Sequence, residues 1–73
     1  MKRLGKQNTI EILENGGYIK YNDWYTLNAG YKVMGNDEII GYITADLFFN
    51  LFSNSIIKKE KTGYSYEIWG INK

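Results

Sequence analysis

The sequence is organised around residues 41–54, which read Gly41-Tyr42-Ile43-Thr44-Ala45-Asp46-Leu47-Phe48-Phe49-Asn50-Leu51-Phe52-Ser53-Asn54. We predict a strand that ends at Ile43 and runs directly into a helix over 44–53. Thr44 has a hydroxyl that can cap the first turn by accepting a backbone N–H. Asp46 then places a carboxylate near the positive end of the helix dipole. Asn54 is predicted to end the helix, because Asn tolerates the left-handed conformation of a C-terminal cap.

The apolar side chains of this helix cover a wide arc. At about 100° per residue, one arc contains Ala45, Leu47, Phe48, Leu51 and Phe52. Phe49 lies at the edge of that arc, and Asp46, Asn50 and Ser53 form a narrow polar side. Ile43 and Phe48 have the spacing of a hydrophobic staple, which fixes the angle between strand and helix. The pattern predicts either a helix buried as pure core or one with a flank left for a partner.

The rest of the chain alternates between turn residues and short apolar segments. We predict a first helix that Asn8 caps and that Gly16-Gly17 ends, because Gly readily adopts the left-handed cap. Turns are predicted at Asn22-Asp23, 28–30, 35–37 and 61–63. The predicted strands cover 18–21, 24–27, 31–34, 38–43, 56–59 and 64–69. The order α-β-β-β-β-α-β-β indicates a small α+β domain with a curled antiparallel sheet, largely a β-meander.

Length and composition predict one domain over 8–73, preceded by a basic N-terminal arm over 1–7. The 73 residues contain no Cys and no His, but seven Tyr, three Phe and two Trp. A chain of this size forms a small core, so these aromatic rings must supply much of it. The absence of thiols is compatible with a reducing compartment. The basic start is followed by no apolar run of the kind that a signal peptide or a membrane span needs. We therefore predict a cytoplasmic protein with no membrane partner.

The composition also argues against catalysis. His, the commonest acid–base group, and the Cys nucleophile are both missing. Gly16-Gly17 lacks the Lys-Ser/Thr that completes a phosphate-binding loop. The carboxylates show no ligand spacing typical of a divalent cation. We predict that the protein is not an enzyme, with no cofactor and no metal site.

Residues 43–71 resemble the last third of a winged-helix domain. The resemblance rests on Thr44 and the apolar helix, on Ile56-Ile57-Lys58-Lys59, and on Thr62-Gly63-Tyr64-Ser65-Tyr66. In that family a recognition helix leads into a two-stranded basic hairpin, the wing. The resemblance implies that Asp46, Asn50 and Ser53 face the DNA major groove, with Lys58, Lys59 and Lys61 on the phosphate backbone. Residues 18–42 depart from the family pattern, because they are predicted as strands. In general character the chain also resembles small tyrosine-rich proteins of phages and mobile elements.

The leading functional prediction is a small interaction protein that binds a protein partner through exposed aromatic residues and the basic hairpin at Lys58–Lys61. Aromatic residues are enriched at interface cores and binding hot spots. The candidate partner-binding residues are Trp24, Tyr25, Phe49 and Trp69. Trp69 shares a strand face with Ser65 and Glu67 in the predicted alternation, so it is expected to be exposed. Alternatively, Trp24 and Trp69 both fold over the core. Exposed strand edges would also allow a homodimer.

Nucleic-acid binding is the alternative prediction, because Lys and Arg contacts to phosphate supply most of such affinity. Its candidate residues are Lys58, Lys59 and Lys61 of the hairpin together with Asn50, which could contact adenine. The same lysines could instead protect a sheet edge from aggregation. A second route is a platform for single strands, on which bases stack against aromatic rings. The platform would contain Tyr18, Tyr21, Tyr25 and Tyr31 with Lys20 and Lys32.

Overall fold

The computed structural model describes residues 2–22 and 30–73, which form two helices and one five-stranded antiparallel sheet. The elements are α1 (Lys6–Glu14), β1 (Tyr18–Asn22), β2 (Gly30–Gly35), β3 (Glu38–Ile43), α2 (Ala45–Ser53), β4 (Ile57–Gly63) and β5 (Tyr66–Ile71). The predicted α+β class and the antiparallel sheet are confirmed. The predicted strand over 24–27 lies outside the described residues. Asn22, predicted as a turn residue, instead ends β1 and pairs with Gly30 and Tyr66.

The strand order across the sheet is β3-β2-β1-β5-β4, with β1 at the centre. Ile19 of β1 lies opposite Val33 of β2 and Trp69 of β5. All three residues are buried, and they share one cluster with Leu13 of α1 and with Phe48 and Leu51 of α2. Because paired residues share a face of a sheet, both helices pack on the face that carries Ile19. We call this the helix face and its opposite the open face, which no helix among the described residues covers.

The predicted start of α2 is confirmed, but its end differs in one respect. The Thr44 hydroxyl accepts a hydrogen bond from the Leu47 backbone N–H at 3.2 Å. Asn54 ends the helix without a left-handed conformation, and the residue with positive φ (57°) is Ser55. Hydrogen bonds from Ser55 N to Phe52 O and from Ile56 N to Leu51 O complete a Schellman motif.

The first helix begins earlier than predicted, at Lys6, and Asn8 is not its cap. Thr9 is fully buried, and both its backbone N–H and its hydroxyl donate to the Gly5 carbonyl. These two hydrogen bonds to Gly5 fix the start of the helix three residues before the predicted cap at Asn8. The predicted end is confirmed, because Gly16 takes φ +96° after Asn15. Among the described residues, no helix is long and apolar enough to cross a membrane.

The basic N-terminal segment does not form a separate arm in the described residues 2–7. Backbone hydrogen bonds join Leu4 N to Tyr42 O and Tyr42 N to Lys2 O. The Leu4 side chain is buried in the core. A Cβ at Gly41 would collide with Lys2 and Leu4, so the absence of a side chain there makes this close approach possible. The segment docks because Leu4 adds apolar area to a small core.

The last hairpin turns three residues later than predicted. β4 continues through the predicted turn at 61–63, and the chain reverses at Tyr64-Ser65, where Ser65 takes φ +68°. The pairing slips between Lys59 and Lys61, so a bulge at Glu60 adds a residue to β4. The bulge decides which lysines face the helices and which face the open side.

Candidate functional site

Five aromatic rings form a continuous chain on the helix face. The ring centroids are 4.7 Å apart for Tyr21–Tyr31, 4.2 Å for Tyr31–Phe48, 5.1 Å for Phe48–Trp69 and 5.4 Å for Phe52–Trp69. The first two pairs stack, and the two pairs with Trp69 meet edge to face, which suits the quadrupoles of the rings. The chain leads from β1 through the core to the outer flank of α2.

Burial raises the pKa of Tyr31 above its ordinary value, and nearby Tyr21 and Glu67 add to this shift. Removing the phenol proton would place a charge between the stacked rings of Tyr21 and Phe48. The phenol therefore stays neutral in the folded protein over a wider pH range than in the unfolded chain. These stacked contacts pack Tyr31 against Tyr21 of β1 and Phe48 of α2.

One flank of α2 leaves aromatic surface in contact with solvent. Phe49 is 55% exposed, as its predicted place at the edge of the arc allows. Phe52, predicted within the buried arc, is 50% exposed, because Phe48 and Leu51 occupy the centre of the packed side. Residues three apart on a helix are neighbours, so Phe49 and Phe52 form one apolar flank.

Only 8% of Trp69 is accessible, so its predicted exposure is wrong and the alternative prediction, that Trp69 folds over the core, is confirmed. The predicted alternation correctly placed Trp69 and Glu67 on one face, but that face is the one covered by the helices. Its register opposite Ile19 points the indole toward α2. The indole N–H donates to Glu67 Oε1 at 3.3 Å, which satisfies its polar atom at the rim of the core.

A basic side chain borders the same indole on the β4 side. Lys59 Nζ lies 3.2 Å from Glu67 Oε2 and 5.7 Å from the centre of the Trp69 ring. Trp69 therefore lies between the half-exposed Phe52 ring and the Lys59 ammonium. We call the surface formed by Phe49, Phe52 and Lys59 the α2–β4 surface. It combines the two features of the leading prediction, exposed aromatic residues and the basic hairpin.

The remaining candidate lysines are divided between the two faces. Lys59 lies on the helix face opposite Trp69, whereas Lys58 and Lys61 pair with Gly70 and Ile68 on the open face. All three are exposed and lie on an edge strand, a position in which lysines also discourage strand-to-strand aggregation. Asn50 is exposed on the polar side of α2 and is not in the α2–β4 surface.

The predicted tyrosine platform is divided in the same way. Tyr21 and Tyr31 belong to the ring chain on the helix face, whereas Tyr18, Lys20 and Lys32 lie on the open face. The open face gains Tyr42 and Tyr66, which the prediction did not include. Strand register decides this division, because successive residues of a strand point to opposite faces. Trp24 and Tyr25 lie outside the described residues.

Among the described residues, no three His, Cys, Asp or Glu side chains come together as a metal site would require. The candidate surfaces are the α2–β4 surface and the open face of the sheet. No protein-family model, curated protein or solved structure matches this chain.

Proposed function

We propose that this chain is a small, non-enzymatic interaction protein of the cytoplasm that binds a partner protein through the α2–β4 surface. The observation that carries the proposal is the pair of half-exposed rings, Phe49 and Phe52, on one flank of α2. The centre of an interface is typically apolar and rich in aromatic residues, with a polar rim. Lys59 and Glu67 would supply part of that rim.

The buried rings beneath Phe49 and Phe52 favour a binding role over a chance exposure of apolar side chains. Phe52 rests on Trp69, and Phe49 meets Phe48 edge to face at 5.8 Å between centroids. Both supporting rings are buried, so the exposed rings have packed neighbours on their inner side. A surface that is already ordered loses little conformational entropy when a partner covers it. The partner we infer presents an apolar pocket with a polar border that meets the Lys59–Glu67 ion pair.

The test compares affinity capture from a lysate of the native host by three immobilised proteins. These are the wild type, the Phe49→Ser/Phe52→Ser variant and a Tyr64→Ser control. Tyr64 is 91% exposed in the last hairpin turn, away from α2, so it controls for the loss of a surface aromatic residue. We expect one protein to be retained by the wild type and the control and to bind the double variant about thirtyfold more weakly, as hot-spot losses of 2 kcal/mol or more require.

A homodimer would use the same surface with a second copy as the partner. Light scattering during gel filtration, at several protein concentrations, distinguishes this case because the mass would double in the wild type and in the Tyr64→Ser control only. A monomeric wild type that retains no protein would contradict the proposal. Equal retention by the double variant would contradict it as well. Far-UV circular dichroism establishes that each variant is folded.

The second candidate function is nucleic-acid binding through α2 and the β4–β5 hairpin, as in a winged helix. Its support is the direct succession of α2 and a hairpin with exposed lysines. The polar side of α2 includes Asp46, whose carboxylate would repel phosphate. The protein-binding proposal therefore takes precedence. A titration with duplex DNA at two salt concentrations tests this candidate. Salt-sensitive binding that disappears in a Lys58→Ala/Lys59→Ala/Lys61→Ala variant would favour it.

A further inference from the structure

Two lysines face each other at the centre of the open face. Lys20 of β1 and Lys32 of β2 are direct cross-strand partners, and both are partly buried. Like charges in this position destabilise a sheet. Neither lysine forms an ion pair with a carboxylate of the described residues. The ion pair in this part of the chain joins Lys59 to Glu67. An anion bound to this face would offset the repulsion between the two lysines, which explains why a destabilising pair is present.

Aromatic rings surround the two lysines on the same face. Tyr42 lies opposite Lys32, and the Lys20 ammonium lies over the Tyr66 ring at 5.1 Å from its centre. Tyr18 lies two residues before Lys20 and therefore points to the same side. The two adjacent lysines thus lie among three flat rings, which β1, β3 and β5 contribute.

The charge on this face is predominantly positive. Lys61, opposite Ile68, extends the row of lysines toward the β4 edge. The carboxylate of Glu60 also lies on this side, over Gly70, and is separated from Lys20 by β5. The chain as a whole has a net charge of only +1, so the positive field is local to the open face.

From this arrangement we propose that the open face binds single-stranded nucleic acid. Lysines neutralise phosphates, and the rings of Tyr18, Tyr42 and Tyr66 provide surfaces on which bases stack. An acidic peptide would satisfy the lysines but has no flat groups to cover the rings. A duplex would satisfy the lysines too, but it keeps its base faces inside the stack. A strand with unpaired bases matches both the charges and the rings.

The proposal is independent of the α2–β4 surface, which lies on the opposite face, so each can fail alone. Its test is fluorescence anisotropy with labelled oligo-dT and oligo-U of about 15 nucleotides, a length within the range that single binding domains cover. Each probe is titrated at about 20 mM and about 200 mM salt. The two probes distinguish DNA from RNA as the preferred ligand.

The charge arm uses Lys20→Ala/Lys32→Ala with Lys2→Ala/Lys6→Ala as its control. The control also removes two positive charges, but from the N-terminal segment and α1, which lie on the helix side. We expect the first variant to bind about tenfold more weakly at low salt, with a salt dependence shallower by roughly 1.4 in log–log slope, since each single-strand phosphate contact contributes about 0.7. The control should stay within about twofold of the wild type, because it changes no phosphate contact.

The stacking arm uses Tyr66→Leu with Tyr64→Leu as its control. We expect about tenfold weaker binding for Tyr66→Leu only, as the loss of one stacked base predicts. Lys32→Glu should raise the melting temperature by pairing with Lys20 and should abolish binding. That combination shows that lost binding does not arise from unfolding.

Several outcomes would overturn the proposal. They are no binding at low salt, equal losses in both lysine variants, and duplex DNA binding as tightly as the single strands. Polyglutamate that binds as tightly as oligo-dT, with no effect of Tyr66→Leu, would also overturn it and would indicate an acidic protein partner instead.

Discussion

The Phe52 ring meets the Trp69 ring at 87°, with 5.4 Å between centroids, and yet half of Phe52 remains exposed. The Phe52 ring thus covers part of the core on one side and forms part of the protein surface on the other. Neighbouring Phe48 is 5% exposed and contacts Tyr31 and Trp69 from within. Side chains on one helix turn therefore divide between stability and the interaction that we propose.

This division predicts unequal effects on stability. Phe48→Ala should lower the free energy of unfolding by about 3–5 kcal/mol, because it leaves a cavity among three rings. Phe49→Ala should change it by about 0.5 kcal/mol or less, as is usual for exposed positions. Urea denaturation followed by circular dichroism measures both values. Similar losses for the two variants would show that Phe49 belongs to the core.

The partly buried phenol of Tyr31 predicts a loss of stability in alkali. Its pKa is higher in the folded protein than in the unfolded chain, where it lies near 10. The neutral Tyr31 phenol therefore contributes fully to the free energy of unfolding below about pH 10, and this contribution is lost as the pH rises through the folded pKa. Between about pH 8 and 11, the denaturation midpoint of Tyr31→Phe should fall less steeply with pH than that of the wild type. Parallel curves would contradict the raised pKa.

The two helix ends predict opposite effects of small substitutions. Both helices end in a Schellman motif, but the left-handed residue is Gly16 after α1 and Ser55 after α2. Gly16→Ala should lower the free energy of unfolding by about 1 kcal/mol, and Ser55→Gly should raise it by a similar or smaller amount. Thermal denaturation of both variants checks the signs. Stabilisation by Gly16→Ala would mean that residue 16 has a negative φ.

The docked N-terminal segment predicts that Leu4 contributes to the core. Leu4→Ala should lower the free energy of unfolding by about 2–5 kcal/mol, as for other buried leucines. Lys6→Ala, an exposed position nearby in the chain, is the matched control and should change little. If Leu4→Ala were as stable as the control, the segment would be the free basic arm that its composition suggests.

The sequence predicted several features that depend on local chemistry, although Asn8 is not the cap of α1 and Asn54 is not left-handed. The Thr44 cap, the Asp46 position and the glycine after α1 follow from a few neighbouring residues, and the structure confirms them. Features that depend on strand register were beyond the sequence. Trp69 is buried because β5 pairs in one particular register with β1, and the bulge at Glu60 shifts the last turn.

The candidate surfaces follow the same distinction. Phe49 was predictable from its angle on the helix, whereas the exposure of Phe52 depends on how α2 rotates against the sheet. The facing pair Lys20–Lys32 lies twelve positions apart in the chain, and only the pairing of β1 with β2 brings the two together. A helical wheel drawn around Phe48 and Leu51 as its centre would have placed Phe52 and Phe49 on one flank.

Site-specific photo-crosslinking at position 49 tests the proposed partner interaction most directly. A benzophenone amino acid replaces Phe49 in one variant and Tyr64 in a control, and both are irradiated in lysate of the native host. The account predicts a single adduct of discrete mass at position 49, lost when Phe52→Ser is added, and none at position 64. The absence of an adduct at position 49, or the same adducts at both positions, would contradict it.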